Sequence, residues 1–371
     1  MSRIRPLEAA DIPAVAGLFQ RVFRDRDTLP SPSLTAYLRE HYLEAPGYDP
    51  QISPLVHIGA DGAISGFIGI SVLPMSHEGR KLRAAVGSAL MVERRASDPM
   101  AGARLLKAFL AGPQDLSFTE TASEVSAQMW TRLRGVELPQ YSLDWLRVIR
   151  PAAFTLAQAS RRIAAARLLA PVASRIDRHL RGRMQGNDLR WSAVPENWKV
   201  KGGLEVAQTD QAGFAAMLDP LTKQFAVRPD WGDERFAHIL AEAAGAPDRG
   251  EPVFASVSTP GGALIGAFLY YLRPRGIARV LQLLALPGQA GPVLDCLIGH
   301  AAQNGAAALR GRTQPALLEA MLGRRIAFFP LAATIVHSRE ERLVEAYRGS
   351  QGFFNGLAGE NWSRLVDGRF E

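Results

Sequence analysis

Residues 63–92 read AISGFIGISVLPMSHEGRKLRAAVGSALMV. Two long apolar runs in this stretch are separated by Glu78-Gly79, a pair of residues typical of a tight turn. A shorter apolar run over residues 54–58 precedes it, after which comes the turn signal Asp61-Gly62. The three runs therefore predict a meander of antiparallel strands, and the rest of the chain can be placed around it.

Helix-period and strand-period segments flank the meander on both sides. Asp11 lies before an apolar helical face and is expected to cap the first helix. The flanking predictions are a strand over 3–7, helices over 12–23 and 34–43, a helix over 99–110, a strand over 115–120, a helix over 123–133 and a strand over 141–149. The predicted order is β-α-α-β-β-β-α-β-α-β.

The second half of the chain repeats this order, which favours an internal duplication. Its predicted strands are 204–208, 253–257, 263–272, 277–286, 307–311 and 326–336, and its helices are 210–225, 234–244, 291–303 and 315–322. Ala63-Ile64-Ser65-Gly66 corresponds to Ala263-Leu264-Ile265-Gly266. We predict a domain over 1–150, a connector over 151–202 and a second domain with a tail over 203–371.

Composition agrees with two globular domains, since the chain has 371 residues, of which 47% are hydrophobic and 21% charged. The single cysteine, Cys296, cannot form an internal disulfide. No apolar run approaches the roughly 18 residues of a membrane-spanning helix, and the first residues lack the pattern of a secretory signal. A cytoplasmic location is therefore expected.

The net charge of +7 is concentrated in the connector, where seven arginines stand against one acid, Asp177, between residues 151 and 186. Apolar residues alternate with these arginines, and Pro171 is expected to divide the segment into two helices. Such a segment either packs on both domains as a solvated connector or, over residues 154–184, contacts an anionic membrane surface peripherally. Nucleic acid is disfavoured, because aromatic residues are not interleaved with the arginines.

The predicted element order resembles the fold of the GNAT superfamily of N-acetyltransferases. Two such units in one chain resemble the tandem-GNAT acyltransferases, including the FemAB-like branch. The resemblance covers residues 3–150 well and 203–337 loosely. It implies an α/β (α+β) fold with two tandem GNAT-like domains, each a mixed, mostly antiparallel sheet flanked by helices and joined by the basic helical connector.

The resemblance also implies a site for acetyl-CoA or another acyl-CoA, where the family's fourth strand diverges from the fifth and a helix N-terminus binds pyrophosphate. The family signature is Arg or Gln, two residues, Gly, one residue, then Gly or Ala. Ser97, Met100 and Gly102 take these positions, so only the last agrees. The implied cofactor-binding residues are Met91, Val92, Arg94, Arg95, Ser97, Met100, Gly102, Ala103 and Ser123.

A second family signature places Asn, Ala and Tyr where this chain has Ser123, Ser126 and Trp130. The family's Tyr commonly protonates the leaving thiolate, which Trp130 cannot do in the same way. Trp130 and Tyr141 are expected to line the substrate pocket. Glu93 and Glu120, at the ends of the two diverging strands, are the candidate catalytic bases.

The resemblance favours an acyl-CoA-dependent N-acyltransferase, with an amine as acceptor, such as that of an amino sugar in envelope or exopolysaccharide synthesis. A FemAB-like, aminoacyl-tRNA-dependent transferase and a noncatalytic ligand-sensing module are the alternatives. No CxxC, HExxH, P-loop or GxSxG motif is present, so no metal is expected. The apolar tail, with Phe353, Phe354 and Trp362, is expected to dock onto the core or onto a second copy in a homo-oligomer.

Overall fold

The computed structural model describes residues 2–93, 98–160, 163, 168–184, 190–198, 200, 202–366, 368 and 370. Within these residues the strands are β1 (Arg3–Pro6), β2 (Leu55–Ile58), β3 (Ile64–His77), β4 (Arg80–Val92), β5 (Leu116–Ala122), β6 (Val136–Glu137), β7 (Leu143–Val148), β8 (Glu205–Thr209), β9 (Val227–Pro229), β10 (Glu251–Ser258), β11 (Leu264–Leu272), β12 (Ile277–Ala285), β13 (Ala308–Arg312), β14 (Ala327–Pro330) and β15 (Ala333–His337).

The α-helices of the same residues follow the predicted apolar periodicity. They are α1 (Ile12–Phe23), α2 (Pro32–Arg39), α3 (Ala101–Leu110), α4 (Glu124–Arg132), α5 (Pro139–Ser142), α6 (Pro151–Ala159), α7 (Ala170–Gly182), α8 (Gln211–Thr222), α9 (Glu234–Ala244), α10 (Ala290–Gln303), α11 (Pro315–Leu322) and α12 (Glu341–Arg348). A π-helical turn, Glu40–Glu44, extends α2. The residues after α12 form the C-terminal tail, which contains a 3-10 turn, Gly356–Ala358.

Two mixed sheets form the framework of the molecule. The first has the order β1-β2-β3-β4-β5-β15-β6, with β9 also paired to β3, and the second has the order β14-β7-β13-β12-β11-β10-β8. Each contains one parallel pair, β4 with β5 and β12 with β13, among antiparallel neighbours. The predicted fold class, two mixed and mostly antiparallel sheets flanked by helices, is confirmed.

The two halves exchange their last strands. β7 pairs with β13 and β14 in the second sheet, and β15 pairs with β5 and β6 in the first. Each half therefore contributes a strand to the sheet of the other, and the single strand predicted over 326–336 is two strands that join different sheets. Alternation of apolar residues predicts a strand but carries no information about its partner. The domain limits at 150 and 202 stay a prediction.

One apolar core joins the two halves. Its members include Phe118 of β5, Phe214 of α8 and Phe354 of the tail. The rings of Phe118 and Phe354 stack with centroids 4.4 Å apart. The tail therefore docks onto the core of its own chain, as one of the two sequence predictions states.

The connector contains the two predicted helices, α6 and α7. Asp177 of α7 accepts hydrogen bonds of 2.8 Å from the backbone N–H groups of Ala152 and Ala153, so that it caps the first turn of α6. The outer side of α7 leaves Val172, Ile176 and Leu180 exposed. Arg161, Arg162 and Arg167 lie outside the described residues. Within the described part of the chain, no helix has the length and apolar character required to cross a membrane.

Candidate active site in the first sheet

β4 and β5 are paired over only three positions before they diverge. The parallel register joins residues 84–86 to residues 116–118, and beyond it residues 87–90 and 119–122 bound a gap that we call the first cleft. The register between β3 and β4 shifts at this level, so that Ala89 and Leu90 together oppose Ile68. Ala89 has a φ of +46°, a strained value for a residue with a side chain. This bulge turns the β4 backbone at the cleft.

A cavity of about 350 Å³ occupies the first cleft. Its walls come from β4, from β5 and the start of α4, from α1 and the π-helical turn, and from the C-terminal tail. The lining residues are Phe19, Phe23, Arg24, His41, Ile68, Ser71, Val86, Gly87, Ser88, Ala89, Leu90, Thr119, Thr121, Ala122, Ser123, Ser126, Trp130, Gly359, Glu360, Trp362, Ser363, Leu365 and Val366. The cavity is thus mainly apolar with a few polar groups, as small-molecule sites usually are.

Glu360 of the tail places a buried carboxylate against β5 in this cavity. Its Oε1 accepts hydrogen bonds from the backbone N–H of Glu120 at 2.8 Å and from Thr119 Oγ1 at 3.3 Å, and its Oε2 accepts one from Thr121 Oγ1 at 2.7 Å. Burial raises the pKa of Glu360 to about 7, with the charge of Glu120 acting in the same direction. A carboxylate with such a pKa can exchange a proton near neutral pH.

The predicted base Glu120 is also buried, but it does not line the cavity. Its carboxylate accepts hydrogen bonds from the backbone N–H of Glu360 at 2.7 Å and from Asn361 Nδ2. Burial raises the pKa of Glu120, and the nearby positive charge of Arg312 opposes this. Glu120 therefore holds the tail in position, and its predicted catalytic role is not favoured by this geometry.

The other predicted base, Glu93, lies just beyond β4 and faces α1. Its Oε2 accepts hydrogen bonds from Arg21 Nε at 2.9 Å and Nη2 at 2.8 Å. The cavity lining does not include Glu93. The geometry therefore gives it a structural contact between β4 and α1, and its catalytic role stays a prediction.

His41 is a second titratable group in the cavity. Its Nε2 lies 3.4 Å from Ser71 Oγ, and its Nδ1 lies 3.5 Å from the hydroxyl of Tyr37. Burial holds the pKa of His41 well below its ordinary value, and the positive charge of Arg235 adds to this effect. His41 is thus a neutral imidazole at physiological pH.

One face of α4 contributes three residues to the cavity, and they are those of the second family signature. Ser123 caps the helix, since its Oγ accepts a hydrogen bond of 3.4 Å from the backbone N–H of Ser126. Ser123, Ser126 and Trp130 all line the cavity. Trp130 also packs edge-to-face on Phe109 of α3, with ring centroids 5.9 Å apart.

The remaining predicted pocket residue, Tyr141, lies elsewhere. It is buried in the core that joins the two halves, where its hydroxyl donates a hydrogen bond of 2.5 Å to the carbonyl oxygen of Gly352. Tyr141 therefore holds the start of the tail, and the cavity lining does not include it.

The predicted pyrophosphate region can be described only in part, because Arg94, Arg95 and Ser97 lie outside the described residues. Asp98 accepts a hydrogen bond of 2.9 Å from the backbone N–H of Met100 and pairs with Arg104 at 2.7 Å and with the buried His57 at 3.2 Å. These hydrogen bonds, that of Met100 first, lower the pKa of Asp98. The Asp98 carboxylate is thus charged but directed towards basic groups.

The other predicted cofactor residues around α3 differ in their environments. Met91 is buried in the core beside α1, whereas Met100 is exposed at the start of α3. Gly102 faces inward, since a Cβ atom there would lie 3.4 Å from Val92 Cγ2 and 3.7 Å from Met129 Cε. Ala103 follows it, half-buried, in the first turn of the helix. Their roles in cofactor binding stay predictions.

The second sheet contains the same divergence of strands. β12 is parallel to β13 only over residues 277–280 and 308–311, and we call the gap beyond this register the second cleft. Tail residues fill it: Asn355 Nδ2 donates a hydrogen bond of 2.6 Å to the carbonyl oxygen of Thr313, and Gln282 Oε1 accepts one of 3.1 Å from the backbone N–H of Leu357. Asn355 and Leu357 are both buried. The second cleft is therefore closed by the tail.

The sequence predictions missed Glu360 and His41. Neither lies at the end of a predicted strand of the meander, and both reach the cavity only through tertiary packing. The signal available for Glu360 was its position two residues before Trp362, in a tail that also contains Phe353 and Phe354. Large apolar residues indicate a segment that packs on the core.

No protein-family model and no curated protein matches the sequence of the chain. Solved structures with a similar fold include a GCN5-related N-acetyltransferase from Anabaena variabilis, with a TM-score of 0.57 and 9% identity over 92% of this chain and 74% of that one. A conserved protein of unknown function from Enterococcus faecalis, described as "Probable N-Acyltransferase", has a TM-score of 0.56 and 11% identity over 91% of this chain and 73% of that one.

Eis1 from Mycobacterium abscessus has a TM-score of 0.50 and 13% identity, over 94% of this chain and 76% of that one. At these identities the likeness establishes the fold and not the activity. The predicted resemblance to the GNAT superfamily is confirmed at that level: the chain has a GNAT-like fold in both of its sheets.

Proposed function

We propose that the protein is an acyl-CoA-dependent N-acyltransferase whose acyl-CoA substrate binds in the first cleft. The observation that carries the proposal is the cavity of about 350 Å³ between the diverging strands β4 and β5. Backbone groups of residues 87–90 are not paired to β5 there, so they are available to the amides of a pantetheine chain. The second cleft is filled by the tail, which makes the first cleft the preferred site.

Positioning can supply much of the rate of such a reaction. An amine attacks a thioester once both are held in line and the amine has lost its proton. Ser88 and Ser126 place hydroxyl groups along the cavity, and Phe19, Trp130 and Trp362 contribute apolar walls to it. The acceptor is proposed to be a small-molecule amine, and an amino sugar used in envelope or exopolysaccharide synthesis remains a finer proposal.

Calorimetric titration with acetyl-CoA tests the proposal on the wild type and on Ser126→Trp. The side chain of Ser126 is half-buried and lines the cavity, so a bulky ring there is expected to weaken acetyl-CoA binding at least tenfold. Val125→Trp is the matched control, because Val125 is an exposed neighbour on the same helix. We expect one acetyl-CoA per chain in the wild type and in the control.

Other outcomes would favour the alternatives. If Ser126→Trp binds acetyl-CoA as tightly as Val125→Trp does, the acyl-CoA site lies outside the first cleft. Binding without release of CoA in the presence of an amine panel would favour a noncatalytic sensing module. Absence of acetyl-CoA binding, together with salt-dependent binding of charged tRNA, would favour a FemAB-like, aminoacyl-tRNA-dependent transferase.

We also propose that α7 contacts an anionic membrane surface peripherally. Its exposed Val172, Ile176 and Leu180 lie next to the exposed basic residues Arg175 and Arg178. Co-sedimentation is expected with phosphatidylserine vesicles and not with phosphatidylcholine vesicles, and Ile176→Glu should abolish it. Equal sedimentation of the variant would contradict the proposal.

A further inference from the structure

The C-terminal tail does more than form one wall of the cavity in the first cleft, because it brings the carboxylate of Glu360 into that cavity. We propose that Glu360 is the catalytic base, which takes the proton from the ammonium group of the acceptor before the amine attacks the thioester. The inference rests on the proposed function, since it assigns a residue to the acyl transfer in the first cleft.

The position of Glu360 is the first argument. Among the described residues that line the cavity, Glu360 alone is a carboxylic acid. Its three hydrogen-bond partners, Thr119, Glu120 and Thr121, belong to β5, so the carboxylate is fixed to one of the two strands that bound the first cleft. A base must lie within hydrogen-bond reach of the proton that it takes, and a rigid support keeps it there.

The remaining hydrogen-bond capacity of Glu360 is the second argument. An ionised carboxylate has about four lone-pair sites. Oε1 accepts from the backbone N–H of Glu120 and from Thr119 Oγ1, whereas Oε2 accepts from Thr121 Oγ1. Oε2 therefore keeps a lone pair with which it can accept a hydrogen bond from an ammonium group in the cavity.

The competing groups are less suited to the task. Both carboxylate oxygens of Glu120 are directed to the tail, to the backbone N–H of Glu360 and to Asn361 Nδ2. His41 lines the cavity, but its lowered pKa makes it a poor acceptor for the proton of an amine. Glu93 pairs with Arg21 outside the cavity lining.

The charged and titratable groups around Glu360 come from several elements. Glu120 on β5 raises the pKa of Glu360 by its charge. Arg312 on β13 donates to the backbone carbonyl of Glu120 at 2.9 Å, and Arg279 on β12 donates to Asn361. His41 and Arg24 line the same cavity, and Tyr42 of the π-helical turn interacts electrostatically with Glu360. The resulting pKa of about 7 leaves the carboxylate partly ionised at neutral pH, which suits a base.

The proton and electron pairs of the reaction balance without a further reactant. Glu360 accepts one proton from R–NH₃⁺, and the freed nitrogen lone pair forms the C–N bond to the acyl carbon. The C–S bond then breaks, and the thiolate of CoA leaves with its electron pair and takes the second proton of the nitrogen. Glu360 returns its proton to solvent before the next turnover.

The experiment measures release of CoA from acetyl-CoA with benzylamine as the acceptor, between pH 5 and 9. Glu360→Gln is expected to lower kcat roughly 100-fold while KM for acetyl-CoA stays within threefold, and to remove the acidic limb of the pH profile. Glu360→Asp keeps the carboxylate but shortens its reach, so it should lower kcat and retain the limb. Glu341→Gln is the control, because Glu341 is an exposed carboxylate of α12.

Substitutions of two neighbours of Glu360 should shift the acidic limb of the pH profile in opposite directions. A merely structural role of Glu360 would not produce such shifts. Thr121→Val removes a hydrogen bond that lowers the pKa of Glu360, so the limb should shift to higher pH. Glu120→Gln removes a negative charge that raises this pKa, so the limb should shift to lower pH.

Failure of the assignment of Glu360 and failure of the proposed function give different results in this experiment. If the wild type releases CoA and Glu360→Gln retains both kcat and the acidic limb, the assignment of Glu360 is overturned and the proposed function stands. If benzylamine is not acetylated, the same comparison is made on CoA release with water as the acceptor, and equal rates again overturn the assignment. A folded wild type that neither binds acetyl-CoA nor releases CoA overturns both.

Discussion

The two sheets differ in what lies between their diverging strands. In the first cleft, between β4 and β5, the tail forms only one wall and leaves a cavity of about 350 Å³. In the second cleft, between β12 and β13, the tail occupies the gap itself, with Asn355 and Leu357 bonded to both sides. The same strand topology thus yields one open site and one closed site, and the difference lies in the packing of residues 355–366.

This comparison shows that the topology alone does not assign a site. A divergence of two parallel strands leaves unpaired backbone groups, and these must be satisfied by a ligand, by water or by another part of the chain. In the second cleft, another part of the chain, the C-terminal tail, satisfies such groups. The four predictions below test whether the two clefts differ in this way, beginning with the largest expected effect.

Replacement of Trp362 by alanine should have the largest effect, because it removes the bulkiest tail residue from the wall of the first cleft. Trp362 is buried, its indole N–H donates to the carbonyl of Gly359 at 2.7 Å, and Arg235 lies over its ring. We expect the free energy of unfolding to fall by about 4 kcal/mol in urea denaturation. Trp191→Ala is the control, because Trp191 is exposed and should change it by less than about 0.5 kcal/mol.

The pH dependence of stability should report the buried carboxylate of the first cleft. Burial raises the pKa of Glu360 from 4.5 to about 7. Its contribution to the free energy of unfolding is therefore complete below pH 4.5 and is lost as the pH rises to about 7. The difference in unfolding free energy between wild type and Glu360→Gln should therefore shift by about 3 kcal/mol across this window. Parallel curves of stability against pH for the two proteins would contradict the raised pKa.

Gly356→Ala should disturb the second cleft. Gly356 has a φ of +63°, and a Cβ atom there would lie 2.5 Å from Gln282 Oε1 and closer still to the carbonyl oxygen of Leu281. We expect a loss of about 2 kcal/mol in unfolding free energy, from backbone strain and overpacking. Gly323→Ala is the matched control, since its Cβ would meet open space. If the variant is as stable as the control, the tail does not fill the second cleft as tightly as described.

Glu93→Gln should have the smallest effect. The ion pair of Glu93 with Arg21 is partly exposed, so we expect the unfolding free energy to fall by less than about 1 kcal/mol. Thermal unfolding followed by circular dichroism measures this. A loss of CoA release of more than tenfold in this variant would restore Glu93 as a candidate base and weaken the assignment to Glu360.

Much of the first cleft could be predicted from the sequence. The meander over residues 54–92, the strand over 115–120 and the helix over 123–133 follow from local turn and periodicity signals. The last two elements place Ser123, Ser126 and Trp130 beside the cleft. The pairing of β7 and β15 could not be predicted, since a strand of alternating residues fits either sheet. Glu120 was predicted to reach the site from the end of β5. Alternation along that strand does not specify that Glu360 and Asn361 of the tail pack against Glu120.

The sequence by itself determined most of the strands, helices and turns, because these depend on short-range patterns. The resemblance of their order to a known fold implied the GNAT-like class and the level of the sheet at which a site is expected. Tertiary structure alone decided that β7 and β15 are exchanged, that residues 355–357 close the second cleft, and that Glu360 lies in the first. These contacts join residues more than 40 positions apart along the chain. Their energy comes from burial and hydrogen bonding between distant segments, which local patterns do not encode.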